Sequence, residues 1–360
     1  MNNWSNKSLL DLPGPIMITG HTGFKGTWMS LLLQQLGVAV VGYSLKPEVN
    51  SLFSQSKLSG RIPEMFADIR DYKKLEGFTN KHRPSVIVHM AAQPLVLKSY
   101  ESPRETFDVN VMGTANLLDI SSKMEFIKAV VVVTTDKVYK NFEANLAFCE
   151  TDKLEGRDPY SASKVATEAV VTAWREVCQT RSGTKITSVR AGNVIGGGDL
   201  SDNRIIPDII RSIQTSKNLI IRNPDSARPW QHVLDVIFGY TLLITKMIDN
   251  HEFTSVNFGP KESNNLKVSE IVAIAKQYFP MLRISEENIV QNGTDNLYEA
   301  RSLKLNSSYA KKVLGWESTL DQEMAVKMTF DWWADVLKTK NPLDRVILDI
   351  SNYLNLKNSD

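Results

Sequence analysis

Pro15-Ile16-Met17-Ile18-Thr19-Gly20-His21-Thr22-Gly23-Phe24-Lys25-Gly26 decides the fold. An apolar run ends in Gly20, and helix-spaced apolar residues follow at Trp28, Leu31, Leu32 and Leu36. The pattern is strand, glycine turn, helix. Glycines at Gly20, Gly23 and Gly26 let the backbone turn tightly. They also let a pyrophosphate approach the helix N-terminus, where free N–H groups and the dipole favour an anion. The spacing is Gly-x-x-Gly-x-x-Gly rather than the commoner Gly-x-Gly-x-x-Gly. Thr22, Phe24 and Lys25 lie in the same loop and join the glycines as candidate dinucleotide contacts.

The next strand, Val38 to Tyr43, ends where an acid would bind the adenosine ribose of a dinucleotide. Ser44, Leu45 and Lys46 stand there instead. Ser44 becomes the candidate contact, and NAD and NADP both stay open at this point. Asp68 and Ile69, after the following strand, are candidate adenine contacts. Further apolar runs follow at Val86 to His89, Ala129 to Val133 and Ile186 to Arg190, with helical stretches at about 101–123 and 159–180. Near-continuous apolar strands separated by helices predict an α/β fold, a Rossmann-type doubly wound parallel sheet covered on both faces. Ligands bind at the carboxyl ends of such strands. Gly20, Ala91-Ala92-Gln93, Thr135-Asp136 and Gly192-Asn193 all fall there. Asn110 joins Ala91, Ala92 and Gln93 as a candidate cofactor residue.

Past Asn193 the pattern changes. Gly196-Gly197-Gly198-Asp199 and the stretch from Arg222 to Trp230 read as loops. Helices return at about 202–215, 232–249, 267–279 and 320–338, and Val256-Asn257-Phe258-Gly259 reads as a strand. The expected division is a dinucleotide-binding domain of residues 1–193 plus about 231–262. A smaller mixed α/β lobe for the substrate takes about 194–230 plus 263–360.

The chain has 360 residues, enough for a large core, and a formal net charge of +2 without long blocks of one sign. Nothing in that balance calls for nucleic acid or an acidic membrane as partner. Two cysteines, Cys149 and Cys178, and five scattered histidines give neither a disulfide framework nor a metal spacing. The start lacks a signal-peptide apolar region and no run reaches transmembrane length. The expectation is a soluble cytoplasmic protein.

Tyr160 and Lys164 are spaced to share one face of a helix, a phenol beside an ammonium. A free tyrosine, with a pKa of about 10, needs roughly 4 kcal/mol to become a base near pH 7. One unit charge about 4 Å away supplies that much at an effective dielectric of about 20. Lys164 alone is thus expected to make Tyr160 a usable acid/base. Thr134-Thr135-Asp136-Lys137 precedes the pair at a strand end.

Thr135, Tyr160 and Lys164 with the Gly20/Gly23/Gly26 loop resemble the extended short-chain dehydrogenase/reductase superfamily. Thr134-Thr135-Asp136-Lys137-Val138-Tyr139 resembles the active-site strand end of nucleotide-sugar 4,6-dehydratases. The loop Gly20 to Gly26, His89 to Val96, Arg190 to Asp199 and Arg228 to Val233 are similar to the CDP-D-glucose branch. Most dehydratases of this class carry Asp-Glu where Asp136-Lys137 stands, and Leu200 replaces a Trp common in that branch.

The resemblance implies an NAD-dependent reaction on a bound CDP-glucose. Tyr160 takes the 4-hydroxyl proton while C4 loses hydride, with Thr135 on the same oxygen and Lys164 holding the ribose. Asp136, protonated, expels the C6 hydroxyl as water, and Lys137, neutral, takes the C5 proton. Hydride then returns to C6. Asn193, Arg204, Arg222, Arg228 and Glu299 are the implied substrate contacts. A homodimer or homotetramer is also implied. A 4-epimerase shares Thr135, Tyr160 and Lys164 but needs no acid for C6, so Asp136-Lys137 speaks against it. A UDP-N-acetylglucosamine dehydratase is a second alternative, and a non-catalytic NAD-binding protein a third.

Overall fold

Among the described residues, seven parallel strands make one sheet: β1 Ile16–Thr19, β2 Val40–Ser44, β3 Glu64–Phe66, β4 Val86–His89, β5 Ala129–Val133, β6 Lys185–Ala191 and β7 Ser255–Phe258. A computed structural model describes residues 7–141, 147–221, 223–261, 265–285 and 303–359. The strand order is β7-β6-β5-β4-β1-β2-β3, so the chain reverses direction of winding between β1 and β4. This is the doubly wound α/β sheet read from the sequence. Alternate strand residues feed two cores. Ile16, Ile18, Val86, Val88 and Val131 enter one, while Met17, Ile87, Val130 and Val132 enter the other. Burial on both faces is why these strands read as continuous apolar runs.

Helices α1 (Phe24–Gln35), α2 (Pro159–Arg181), α3 (Ile205–Thr215), α4 (Val233–Ile248), α5 (Gln322–Leu337) and α6 (Pro342–Ser359) place the site. The start of α2 is fixed twice. Pro159 takes the first position, and Asp158 and Ser161 form a capping box, with Ser161 N–H donating to Asp158 Oδ1 at 2.9 Å. That cap sets the register that turns Tyr160 and Lys164 toward the end of β5. Short strand pairs lie outside the main sheet, Ala227–Arg228 with Leu266–Lys267 and Gln231–His232 with Val194–Ile195.

The chain end bridges the two parts of the molecule. Helix α6 packs against α1, in the dinucleotide half, as well as against α5. The cause is apolar: Val346, Ile350 and Tyr353 are buried in the same core as Trp28 and Leu32. Asp235 in α4 locks the arrangement, accepting from Ser318 Oγ, Thr319 N, Leu320 N and Tyr353 Oη.

Candidate active site

Strand β5 runs into Thr134 and Thr135, then a single 3-10 turn over Asp136–Val138. Thr135 caps that turn, its Oγ1 accepting from Lys137 N at 3.3 Å. The same hydroxyl donates to Asp136 Oδ1 at 2.9 Å. Thr135, Asp136, Tyr160 and Lys164 are each less than a tenth exposed. The structure therefore gathers these four side chains at the carboxyl end of the sheet. Lys137 is half-buried and lines a cavity of about 20 Å³ with Tyr139, Asn141, Glu155, Arg157 and Asp158, room for about one water.

The electrostatics differ from the single-charge expectation. Burial pushes the Tyr160 phenol up to about 12, opposed by the Thr135 side chain and the charge of Arg204. Burial and the charge of Lys25 pull Lys164 down to about 7. Lys164 Nζ donates to the Val133 carbonyl at 3.1 Å. Burial strips both groups of water, which raises the phenol and lowers the ammonium. Burial therefore works against the ionised form of Tyr160 that a nearby cation favours.

The glycine loop has the form a pyrophosphate needs. Gly20 has φ +75°, and a Cβ there would meet Ala91 N at 2.8 Å. At Gly26 a Cβ would lie 2.1 Å from the Gly20 carbonyl oxygen, so the loop closes only with glycine. Gly23 takes the cap position of α1 and brings no side chain over the helix N–H groups. Lys25 is lowered to about 8, first by burial, then by Arg204, while Asp136 and Asp199 raise it. Its charge thus acts on the same groups, Asp136 among them.

Residues 17–329 match the family model described as GDP-mannose 4,6 dehydratase. The CDP-glucose 4,6-dehydratase of Salmonella typhimurium is 39% identical over 347 residues, covering 94% of this chain and 96% of that protein. This chain belongs to the GDP-mannose 4,6 dehydratase family. A dTDP-glucose 4,6-dehydratase of Xanthomonas campestris is 25% identical over 332 residues, 88% of this chain and 92% of its own. The dTDP-glucose 4,6-dehydratase from Bacillus anthracis in complex with NAD superposes with a TM-score of 0.74 at 21% identity, covering 92% of this chain and 99% of that one. A UDP-glucose-4-epimerase from Stenotrophomonas maltophila with bound NAD gives 0.76 at 20% identity, over 91% and 100%. The last two share the fold.

The remaining expected residues of this family member fall into three groups. Arg204 stands at the cap of α3, its Nη1 3.1 Å from Asp199 Oδ2, with its charge reaching Tyr160 and Lys25. Asn193, at φ +49°, follows the end of β6, and Arg228 sits in the short strand Ala227–Arg228. Arg222 and Glu299 lie outside the described residues. Thr22 and Ser44 hydrogen-bond each other at 2.8 Å, joining the loop to the end of β2. A third group has side chains engaged within the protein. Asp68 is held by Arg70 at 2.7 Å, and Ile69 is buried. Gln93 bonds Leu95 N, Leu95 O and Thr106 Oγ1. Asn110, in a single π-helical turn, clamps the Gln93 backbone and Ser163 Oγ. These position the loop after β4 against α2.

Two features escaped the sequence reading. Arg190 in β6 and Glu168 in α2 form a buried pair, Nε to Oε1 at 2.9 Å and Nη2 to Oε2 at 3.1 Å. Burial works to raise Glu168, but Arg190, Ser188 and Thr134 hold it below the usual carboxylate range. An arginine ending an apolar strand was its only sequence signal. The other is Gly192. A Cβ there would fall 1.8 Å from Asp136 Oδ2, so the carboxyl rests directly on the Gly192 backbone. No local pattern encodes that contact.

Proposed function

We propose that this protein is a CDP-D-glucose 4,6-dehydratase, converting CDP-D-glucose to CDP-4-keto-6-deoxy-D-glucose and water with NAD as resident cofactor. The observation that carries the reading is the 39% identity, over 94% of the chain, to a protein of that activity. The glycine cradle of Gly20, Gly23 and Gly26, with Thr22, Phe24, Lys25 and Ser44 around it, fits a dinucleotide. Tyr160 and Lys164, both buried, would hold its nicotinamide ribose. The chemistry NAD supplies when bound is a hydride sink and source, and a positive charge that favours the Tyr160 phenolate.

Tyr160 takes the proton of the sugar 4-hydroxyl. Asp136 gives the proton that lets the C6 hydroxyl leave as water, and Lys137 takes and returns the proton at C5. Arg228, with Arg222, holds the nucleotide diphosphate, where guanidinium forks match phosphate oxygens, while Asn193 and Arg204 anchor the substrate and Glu299 reaches the nucleotide. An epimerase has no use for a buried acid beside the phenol, and Asp136 is 3% exposed. The free thiols of Cys149 and Cys178 support a reducing compartment, and we assign a cytoplasmic homodimer or homotetramer.

Incubation with CDP-, UDP- and dTDP-glucose tests the reading. The expected result is 4-keto-6-deoxy product from CDP-glucose without net formation of reduced nicotinamide. A 4-epimer as the product, or preference for another base, overturns it.

A further inference from the structure

The turn that carries Asp136 and Lys137 does little to hold itself. It is a single 3-10 turn of three residues. Its closing bond, Tyr139 N to the Asp136 carbonyl, is 3.4 Å long, and its cap, Lys137 N to Thr135 Oγ1, is 3.3 Å. Both exceed the usual span of about 2.7–3.2 Å. Its outer anchors meet in one buried ion pair. At the entry, Thr134 Oγ1 donates to Glu168 Oε1 at 2.6 Å. At the exit, the Tyr139 hydroxyl accepts from Arg190 Nη1 at 2.8 Å and donates to Asn257 Oδ1 of β7 at 2.7 Å. Arg190 and Glu168 close the frame through two parallel bonds, Nε to Oε1 and Nη2 to Oε2. Ser188 Oγ donates to Glu168 Oε2 at 2.7 Å, and Arg190 Nη1 also reaches the Glu150 carbonyl at 3.1 Å. Thr134, Tyr139, Glu168, Arg190 and Asn257 are all buried. Glu168 lies one helical turn beyond Lys164 in α2, and Lys164 Nζ donates to the Val133 carbonyl. The same helix thus grips two consecutive residues at the end of β5.

We infer that the Arg190–Glu168 pair positions the catalytic turn, gripping it at Thr134 and Tyr139 so that Asp136 and Lys137 stand in fixed register with Tyr160 and Lys164. The inference rests on the dehydratase reading above for the roles of those four groups. A buried ion pair is a poor source of stability, since an apolar pair of like volume often does as well. What an apolar pair lacks is direction. A guanidinium fork on a carboxylate fixes the orientation of both planes. Here each partner also bonds one end of the turn. Tyr160 and Lys164 belong to α2, whereas Asp136 and Lys137 belong to the turn. Release of the turn therefore leaves the phenol and its lysine in place and displaces the two groups that remove water. A shift of about 1 Å in a reacting group costs on the order of 10²-fold.

Two isosteric variants open the frame at opposite ends. Thr134→Val removes the entry hydroxyl and Tyr139→Phe the exit hydroxyl, and both keep the Arg190–Glu168 fork. Single turnovers of the NAD-loaded protein with CDP-glucose, read for reduced nicotinamide and for loss of the C6 oxygen, separate the two steps. In each variant water loss is expected to fall on the order of 100-fold and C4 oxidation by less than about 10-fold, so reduced nicotinamide accumulates. Thr134→Ser keeps the hydroxyl and restores the parent rates. Arg190→Lys keeps the charge without the fork and shows the same selective loss. Amide hydrogen exchange supplies a readout apart from turnover. Residues 134–141 are expected to exchange on the order of 10-fold faster in Thr134→Val and Tyr139→Phe, with β1 and β4 protected as in the parent. Should the valine variant fail to fold, Tyr139→Phe carries both readouts. The clamp is overturned if exchange in 134–141 stays at the parent rate, or if oxidation and water loss fall together, as loss of folded protein alone would give. It is overturned equally if Arg190→Lys turns over like the parent. A parent that makes no 4-keto-6-deoxy product overturns the dehydratase reading, and exchange in 134–141 still decides the clamp.

Discussion

Replacing Gly192 by alanine tests where the acid sits. The new Cβ would meet Asp136 Oδ2 at 1.8 Å and Cγ at 2.2 Å, against ordinary contact from 3.4 Å. In an interior this dense, one partner has to retreat by roughly 1.5 Å. Gly192 is held through its carbonyl by Gln231, so the carboxyl is the part that moves. A displacement of about 1 Å in a reacting group costs on the order of 10²-fold. Water loss at C6 is therefore expected to fall by about 100-fold or more. C4 oxidation depends on Tyr160 and is expected to fall by less than about 10-fold on the same scale. Overpacking adds a stability loss of about 1–3 kcal/mol. Stopped-flow absorbance of reduced nicotinamide, with product analysis, separates the steps. The variant should accumulate reduced cofactor that the parent does not. Parent-like turnover, or equal loss of both steps, refutes the placement of Asp136 on Gly192.

Three other outcomes follow from the same geometry. Glu168→Gln leaves Arg190 buried without its charge partner and is expected to cost about 3–5 kcal/mol in urea unfolding. Because the folded carboxyl is depressed, its stabilisation is full above the unfolded value of about 4.3 and is lost as pH falls through the lower folded value; the variant's stability should lack that dependence. Lys25→Met removes a charge that lowers Lys164, so Lys164 should titrate upward from about 7 in ¹³C NMR of methylated lysines; an unmoved titration places Lys25 elsewhere. Asp235→Ala deprives Ser318, Thr319, Leu320 and Tyr353 of a buried acceptor, at about 1–3 kcal/mol for each donor left unpaired. Thermal unfolding and hydrogen exchange should show the loss centred on α6.

Much of the fold was legible because each signal was local. Val130, Val131, Val132 and Val133 announce a strand buried on both faces. Gly20 announces a turn that a Cβ forbids. The placement of α6 was not legible, since a helix with one apolar face does not state which neighbour covers it. Gln93 and Asp68 stand at strand ends, where the sequence predicts cofactor contacts. The structure turns both side chains to partners within the protein.

By itself the sequence determined the doubly wound sheet, the glycine cradle and the residues able to move protons, because periodicity, turn chemistry and side-chain type are properties of short stretches. The tertiary structure alone decided the state of those residues. Burial lifted Tyr160 and lowered Lys164. The packing of β6 beside β5 set the Gly192 backbone under Asp136. Desolvation and close contact depend on what surrounds a side chain, and those surroundings come from segments far apart in the chain.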